Sequence, residues 1–241
     1  MEACRECVEA RTATPIQRRN CDMDLMEAIR RRHAVRQYTD EPLLPEVLAA
    51  LMEETVACND ESGLHIQLVH DEPEAFQGFM AHYGKFRGVR NYLAFVGPKG
   101  SDEKIGYYGE RLVMKATQLG LDSCWVAMSF RKGKCPVTVS GGEKLVCVAS
   151  LGYGETHGIP HKSKPMEAVC KADRELPDWF RSGVEAALLA PTAMNQQKFL
   201  LTLEGDAVKA ESTGGFYSKV DLGIVKYHFE VGAGKDHFTW K

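Results

Sequence analysis

Ala190-Pro191-Thr192-Ala193-Met194-Asn195-Gln196-Gln197 is a proline followed by small and amide-bearing residues. Pro191 lacks a backbone donor and clashes with the turn before it, so the helix expected over 184–189 must end there. Beyond it, Thr192, Ala193 and Asn195 can offer a hydroxyl, a backbone amide and a side-chain amide to a flat ligand. The run 199–203 then reads as a strand. The same order of helix, loop and strand occurs earlier in the chain. Val47, Leu48, Leu51 and Met52 mark one face of a helix opened by Pro45, Cys58-Asn59-Asp60-Glu61-Ser62-Gly63 reads as its loop, and 64–68 alternates as a strand.

Further on, the helix expected over 221–230 parallels 110–119, each running toward a glycine. The chain therefore reads as a duplicated module, with a tail at 1–22, a first half at 23–172 and a shortened second half at 173–241. Asp22 or Asp24 can cap a short helix through Leu25, Met26 and Ile29 that ends in Arg30-Arg31-Arg32, where basic residues suit the helix dipole. Strands are expected at 92–96, 124–128 and 145–151, the last buried on both faces. A helix is expected from about 107 to 119, closed by Gly120. Gly152-Tyr153-Gly154-Glu155-Thr156-His157-Gly158 reads as a turn, because Pro160 and a basic linker follow it instead of a helix.

Composition narrows the function classes. With 30 basic against 33 acidic residues and a net charge of -3, nothing attracts nucleic acid or an anionic membrane broadly, so an anion must be held by a local cluster. The eight cysteines are scattered through a chain of 241 residues that can bury its own core, and they read as reduced thiols of a cytoplasmic protein. Residues 1–22 are charged and contain no apolar run of signal-peptide length. Cys4-Arg5-Glu6-Cys7, even with Cys21, falls short of the four ligands of a closed zinc site, so no metal is expected. No zinc-protease motif or phosphate-cradling lysine loop is present.

The two halves differ in a complementary way. The first carries Arg32-His33-Ala34-Val35-Arg36, whose two arginines lie four residues apart, yet its loop at 58–63 is acidic. The second carries the Pro191 loop and no matching basic stretch. Each half supplies half a site, which argues for one pocket per chain at their junction. Arginine suits the charged side of it, because its planar fork binds phosphate in a bidentate way and keeps its charge.

Arg32-His33-Ala34-Val35-Arg36-Gln37-Tyr38-Thr39-Asp40 resembles the opening motif of the FMN-dependent nitroreductase family, and the Pro191 loop is similar to that family's proline-to-glutamine loop. His161-Lys162-Ser163-Lys164 resembles its paired basic segment. The resemblance covers residues 23–240 and is closest to the subgroup with two fused halves in one chain. It implies an α+β fold, a nitroreductase-like mixed sheet flanked by helices, arranged as an internally duplicated pseudo-dimer. It further implies FMN as cofactor, NADH or NADPH as electron donor and an electron-poor small-molecule acceptor such as a nitroaromatic or a quinone, with no nucleic-acid or membrane partner. Arg32 would hold the FMN phosphate and ribityl chain, Arg36 would lie near N1 and O2, Thr192, Ala193 and Asn195 would face the ring, and His33, Pro191 and Gln197 count among the cofactor-binding positions. Lys162 and Lys164 would complete the charge around the phosphate. No side chain is needed as acid or nucleophile, since the flavin N5 carries the hydride. Ala34 stands in place of the usual serine, and Lys198 and Phe199 in place of proline and tryptophan. The internal pairing allows a monomer and leaves a homodimer open, and a non-catalytic FMN-binding or sensing protein is the alternative reading.

Overall fold

The computed structural model describes residues 23–241; the cysteine-bearing tail falls outside them. Helix α1 (Leu25–Arg31) starts at Asp24, whose carboxylate accepts the Glu27 N–H at 2.7 Å. Helix α2 (Pro45–Ser62) begins on its proline and ends at Gly63, which takes φ 70° and donates its N–H to Asn59 O. The acidic stretch expected as a loop is instead the last turn of α2. Tertiary bonds hold it helical against weak local propensity: the Asn59 amide bonds both backbone groups of Ile66, and Glu61 pairs with Arg111.

Strands β1 (Gln67–Val69), β2 (Asn91–Pro98), β3 (Asp122–Val126) and β4 (Glu143–Gly152) form an antiparallel sheet in the order β1-β2-β4-β3. β4 is buried without a break from Val146 to Gly152, as its continuous apolar run predicts. Helix α3 (Phe79–Tyr83) lies between β1 and β2 in sequence, and α4 (Asp102–Gln118) between β2 and β3, starting a turn earlier than expected. The second sheet joins β5 (Cys170–Ala172), β6 (Phe199–Glu204), β7 (Ala207–Ser212) and β8 (Thr239–Trp240) in that order, with β5 and β8 parallel to their neighbours. β5 precedes the expected division at 172/173 yet pairs with Leu201, Thr202 and Leu203 of the second sheet. Helices α5 (Asp178–Ala187) and α6 (Ser218–Ala233) complete a mixed α+β fold.

One core runs along the described chain, from Met23 and Ile29 through Leu93, Phe95 and Met114 to Phe180, Val225 and Phe229. Its axis is the crossing of α4 and α6, where backbones meet at glycine. A Cβ on Gly106 would fall on the carbonyl oxygen of Val220, and one on Gly223 on that of Glu103. The contact is reciprocal and equates Gly106 with Gly223, whereas the sequence comparison set Glu110 beside Asp221. That comparison was anchored on the glycines that end the helices, while the packing is decided by the glycines inside them. No described helix is long and apolar enough to cross a membrane.

Candidate cofactor pocket

After α1 the chain turns extended at Arg32; Ala34 bridges to Ser123 of β3, where Val35 donates to Ser123 O, and further along Arg87 donates to Arg36 O and Tyr38 bridges to Gly154. Tyr38, buried, anchors the segment by donating to Val35 O at 2.7 Å and bonding the Ser150 hydroxyl at 2.8 Å. Extended backbone alternates its faces, so Arg32, Ala34 and Arg36 turn the same way. The sequence argument from a helical turn reaches the same juxtaposition by a different geometry. All three line a cavity of about 340 Å³.

The opposite wall is the Pro191 loop: Pro191, Thr192, Ala193, Met194 and Asn195 line the same cavity. Met194, Asn195 and Gln197 hold φ of 51°, 53° and 46°. Left-handed backbone costs an L residue roughly 1–2 kcal/mol, so surrounding bonds must impose it. Gln197, buried, donates to Lys162 O and Asn195 Oδ1 and accepts the Lys164 N–H. Thr192 Oγ1 accepts the Gln197 N–H, and the Lys164 ammonium donates to the carbonyls of Gln196 and Gln197 at 2.9 and 2.8 Å. Asn195 also donates to Lys162 O. Lys162, Lys164 and Gln197 therefore brace the loop and do not line the cavity. A charge read as meant for phosphate is spent on carbonyls that the left-handed loop exposes.

The strongest brace was not legible as such. Asp221, on α6, accepts the Ala193 N–H at 2.9 Å and the Gln196 amide at 2.7 Å. The signal available was an acid inside an otherwise apolar run, Val220 to Val225, because a buried Asp needs a partner. Burial pushes its carboxyl up to about 6, against the opposing pull of those two donors. The folded chain thus takes up this proton before the unfolded chain does, near pH 4. Its contribution to stability is greatest below that pH and declines as pH rises to about 6, by roughly 3 kcal/mol in all. Asp221→Asn is expected to flatten that decline, read as the variant-minus-parent difference in urea midpoints at pH 4, 5, 6 and 7; an unchanged slope would rule the carboxyl out.

Other walls come from β3 and β4 through Cys124, Trp125, Val126 and Cys147, and from Tyr217, Val220 and Ile224. Trp125, expected in the core, stacks on Phe95 at 4.5 Å with its far side on the cavity. Ile159 and Met194, 83% and 82% exposed, give the cavity apolar lips. Burial, then the Arg32 charge and His161, hold the His33 imidazole below its ordinary pKa, so the fixed positive charge comes from the arginines. Neither guanidinium donates a hydrogen bond to any described residue. Arg32 is only 6% exposed, and its Nε has no hydrogen-bond partner, the nearest acid being Glu110 at 3.9 Å.

Val220, Asp221 and Ile224 line this cavity; their equivalents across the glycine crossing, Glu103, Lys104 and Tyr107, line a separate open groove. There Lys104 occupies the Asp221 position and donates to Ser62 O, and Lys226 pairs with Glu103. No arginine lines that groove, and its loop is Pro98-Lys99-Gly100-Ser101, which carries no side-chain amide. No group of acids, histidines or cysteines suited to a metal ion occurs among the described residues.

The sequence profile of the family described as "Putative TM nitroreductase" matches residues 24–233. Among solved structures, one described as a "putative nitroreductase" from Thermotoga maritima MSB8 has 22% identity and a TM-score of 0.64, covering 89% of this chain and 85% of that one. Another, from Desulfovibrio desulfuricans and solved in complex with FMN, has 14% identity and a TM-score of 0.50, covering 65% of this chain and 99% of that one. No curated protein matches the chain.

Proposed function

This chain belongs to the nitroreductase family, and from that premise we propose that it is an FMN-dependent oxidoreductase that passes reducing equivalents from NADH or NADPH to an electron-poor small molecule such as a nitroaromatic or a quinone. The observation that carries the reading is Arg32: a buried guanidinium with an orphaned Nε, facing the Pro191 loop across one cavity. A buried guanidinium without hydrogen-bond acceptors is expensive; Glu110, 3.9 Å from the Nε, offsets its charge without accepting a hydrogen bond, so an anionic acceptor is what it lacks. The residues fit FMN. Arg32 and Arg36 would hold its phosphate, ribityl chain and pyrimidine edge, His33 would stand beside them, and Thr192, Ala193 and Asn195 would face its ring. Bound FMN would supply the chemistry of accepting and donating a hydride. The protein binds, orients and excludes water: Trp125, Val220 and Ile224 form dry walls, and Asp221 fixes the loop. Arg36 would place positive charge where a reduced flavin edge gathers negative charge.

The two halves, with β5 joined to the second, would act as a pseudo-dimer within a monomer, and the different lining of the groove on the other side supports one flavin per chain. A cytoplasmic location suits the free thiols of the described cysteines. The test is anaerobic addition of NADH or NADPH to the FMN-loaded chain: bleaching that an acceptor reverses supports the enzyme. A non-catalytic flavin protein is the second reading, favoured by Ala34, which faces the cavity with a methyl group and no hydroxyl. Flavin that stays oxidised with either nicotinamide would select it. Arg36→Ala is expected to lower the two-electron potential of bound flavin by about 30 mV, the equivalent of about 1.4 kcal/mol; equal potentials in variant and parent would remove Arg36 from this role.

A further inference from the structure

Behind the cavity wall lies a polar hub that the redox reading leaves unused. Glu110, on α4, is fully buried. Its Oε2 accepts the Trp125 indole N–H at 2.7 Å, and its Oε1 faces His228 Nε2 at 2.9 Å. His228, on α6, is also fully buried, with Nδ1 facing the Ala186 carbonyl oxygen at 3.1 Å. The third neighbour is Arg32, whose Nε lies 3.9 Å from Glu110 Oε1. Arg32 and Trp125 line the cavity, while Glu110 and His228 stand behind them.

A carboxylate this deep persists only if positive charge and hydrogen bonds oppose it. Both nitrogens of His228 face acceptors, and a ring with a proton on each satisfies both. Two cations then flank one anion, which leaves the hub with a net positive charge under the cavity. Tyr227 also stands near Glu110 and Cys124 near Arg32, and burial raises the pKa of both, so neither adds charge. An apolar filling would serve the core at less cost, so the arrangement calls for another reason.

We propose that Glu110 is a positioning residue of the cofactor pocket: backed by a doubly protonated His228, it sets the direction of the Arg32 guanidinium and of the Trp125 indole toward a bound flavin. The proposal rests on the reading of this cavity as the FMN site. It places one anchor on α4 and its counter-charge on α6, so the pocket's charged wall depends on both halves of the chain.

Glu110→Gln tests it with little disturbance of shape. The substituted side chain can still accept from Trp125 and can donate to a His228 ring that keeps only its Nδ1 proton. One negative and one positive charge disappear together, so the net charge near the cavity is unchanged, and a change in flavin affinity reports the aim of Arg32. In the full chain without FMN, 15N NMR is expected to show protons on both His228 nitrogens in the parent and on Nδ1 alone in Glu110→Gln. The FMN dissociation constant is expected to rise about tenfold, the loss of one charge-assisted interaction. Glu110→Asp keeps the charge but shortens its reach, and it is expected to weaken FMN binding as well; it decides the matter if Glu110→Gln does not fold. A neutral His228 in the parent overturns the proposal, as does parent affinity for FMN in either variant. A parent that binds no FMN removes the cofactor reading and this proposal with it, an outcome visible before any variant is made.

Discussion

Gly223→Ala is expected to destabilise the chain by about 3 kcal/mol or more, in the upper range for overpacking a close contact. The added methyl would fall on the Glu103 carbonyl oxygen and crowd the Tyr107 nitrogen, both backbone atoms of α4 that no rotamer change can clear. Gly106→Ala is expected to do the same from the other helix, against Val220 O and Ile224 N. The helices must then separate, and the pocket wall carried by Val220, Asp221 and Ile224 moves with them. Gly141→Ala is the control, since a Cβ there meets nothing within 4 Å. Urea midpoints well below the parent in the two helical variants, with the control unmoved, are the expected pattern. A parent-like midpoint in Gly223→Ala would mean that the helices do not cross at their glycines.

Arg32→Ala is expected to weaken FMN binding about a hundredfold, the scale of losing a bidentate charge-assisted contact in a dry site. The apo chain should lose little stability by this change. The guanidinium makes no hydrogen bond to the described protein, and Glu110 keeps both His228 and Trp125 when it is gone. That separation of binding from folding is the diagnostic. Arg32→Lys is expected to recover only part of the affinity, because an ammonium keeps the charge and loses the planar fork. A fall in stability without a change in flavin affinity would make Arg32 a structural residue.

Both walls of the pocket were legible because each is continuous in sequence. Arg32 to Arg36 and Pro191 to Asn195 are local motifs whose chemistry can be read before their positions are known, and the complementary deficits of the halves said that they should meet. The long elements were legible for a similar reason: α2, α4, α6, β2 and β4 carry their periodicity over many residues. What failed was chemistry that depends on distant partners. Asn59 to Ser62 has the composition of a loop and stays helical through Ile66 and Arg111. Lys164 looks free in a polar linker and is held by two carbonyls of the left-handed loop. β5 and β8 span three and two residues, too few for any pattern. Trp125 resembles a core residue because one of its faces is one.

The Glu110 hub belongs to the same class. Nothing in the spacing of Arg32, Glu110 and His228 suggests contact, and only the crossing of α4 with α6 brings the last two within 2.9 Å. Its place in the account is to connect that crossing, which folds the chain, with the arginine wall, which gives the pocket its charge.

Isothermal titration of the purified full chain with FMN tests most directly whether the arginine segment and the proline loop together make the cofactor site. Saturation at one FMN per chain is expected. Saturation at two, or no binding at all, would contradict it.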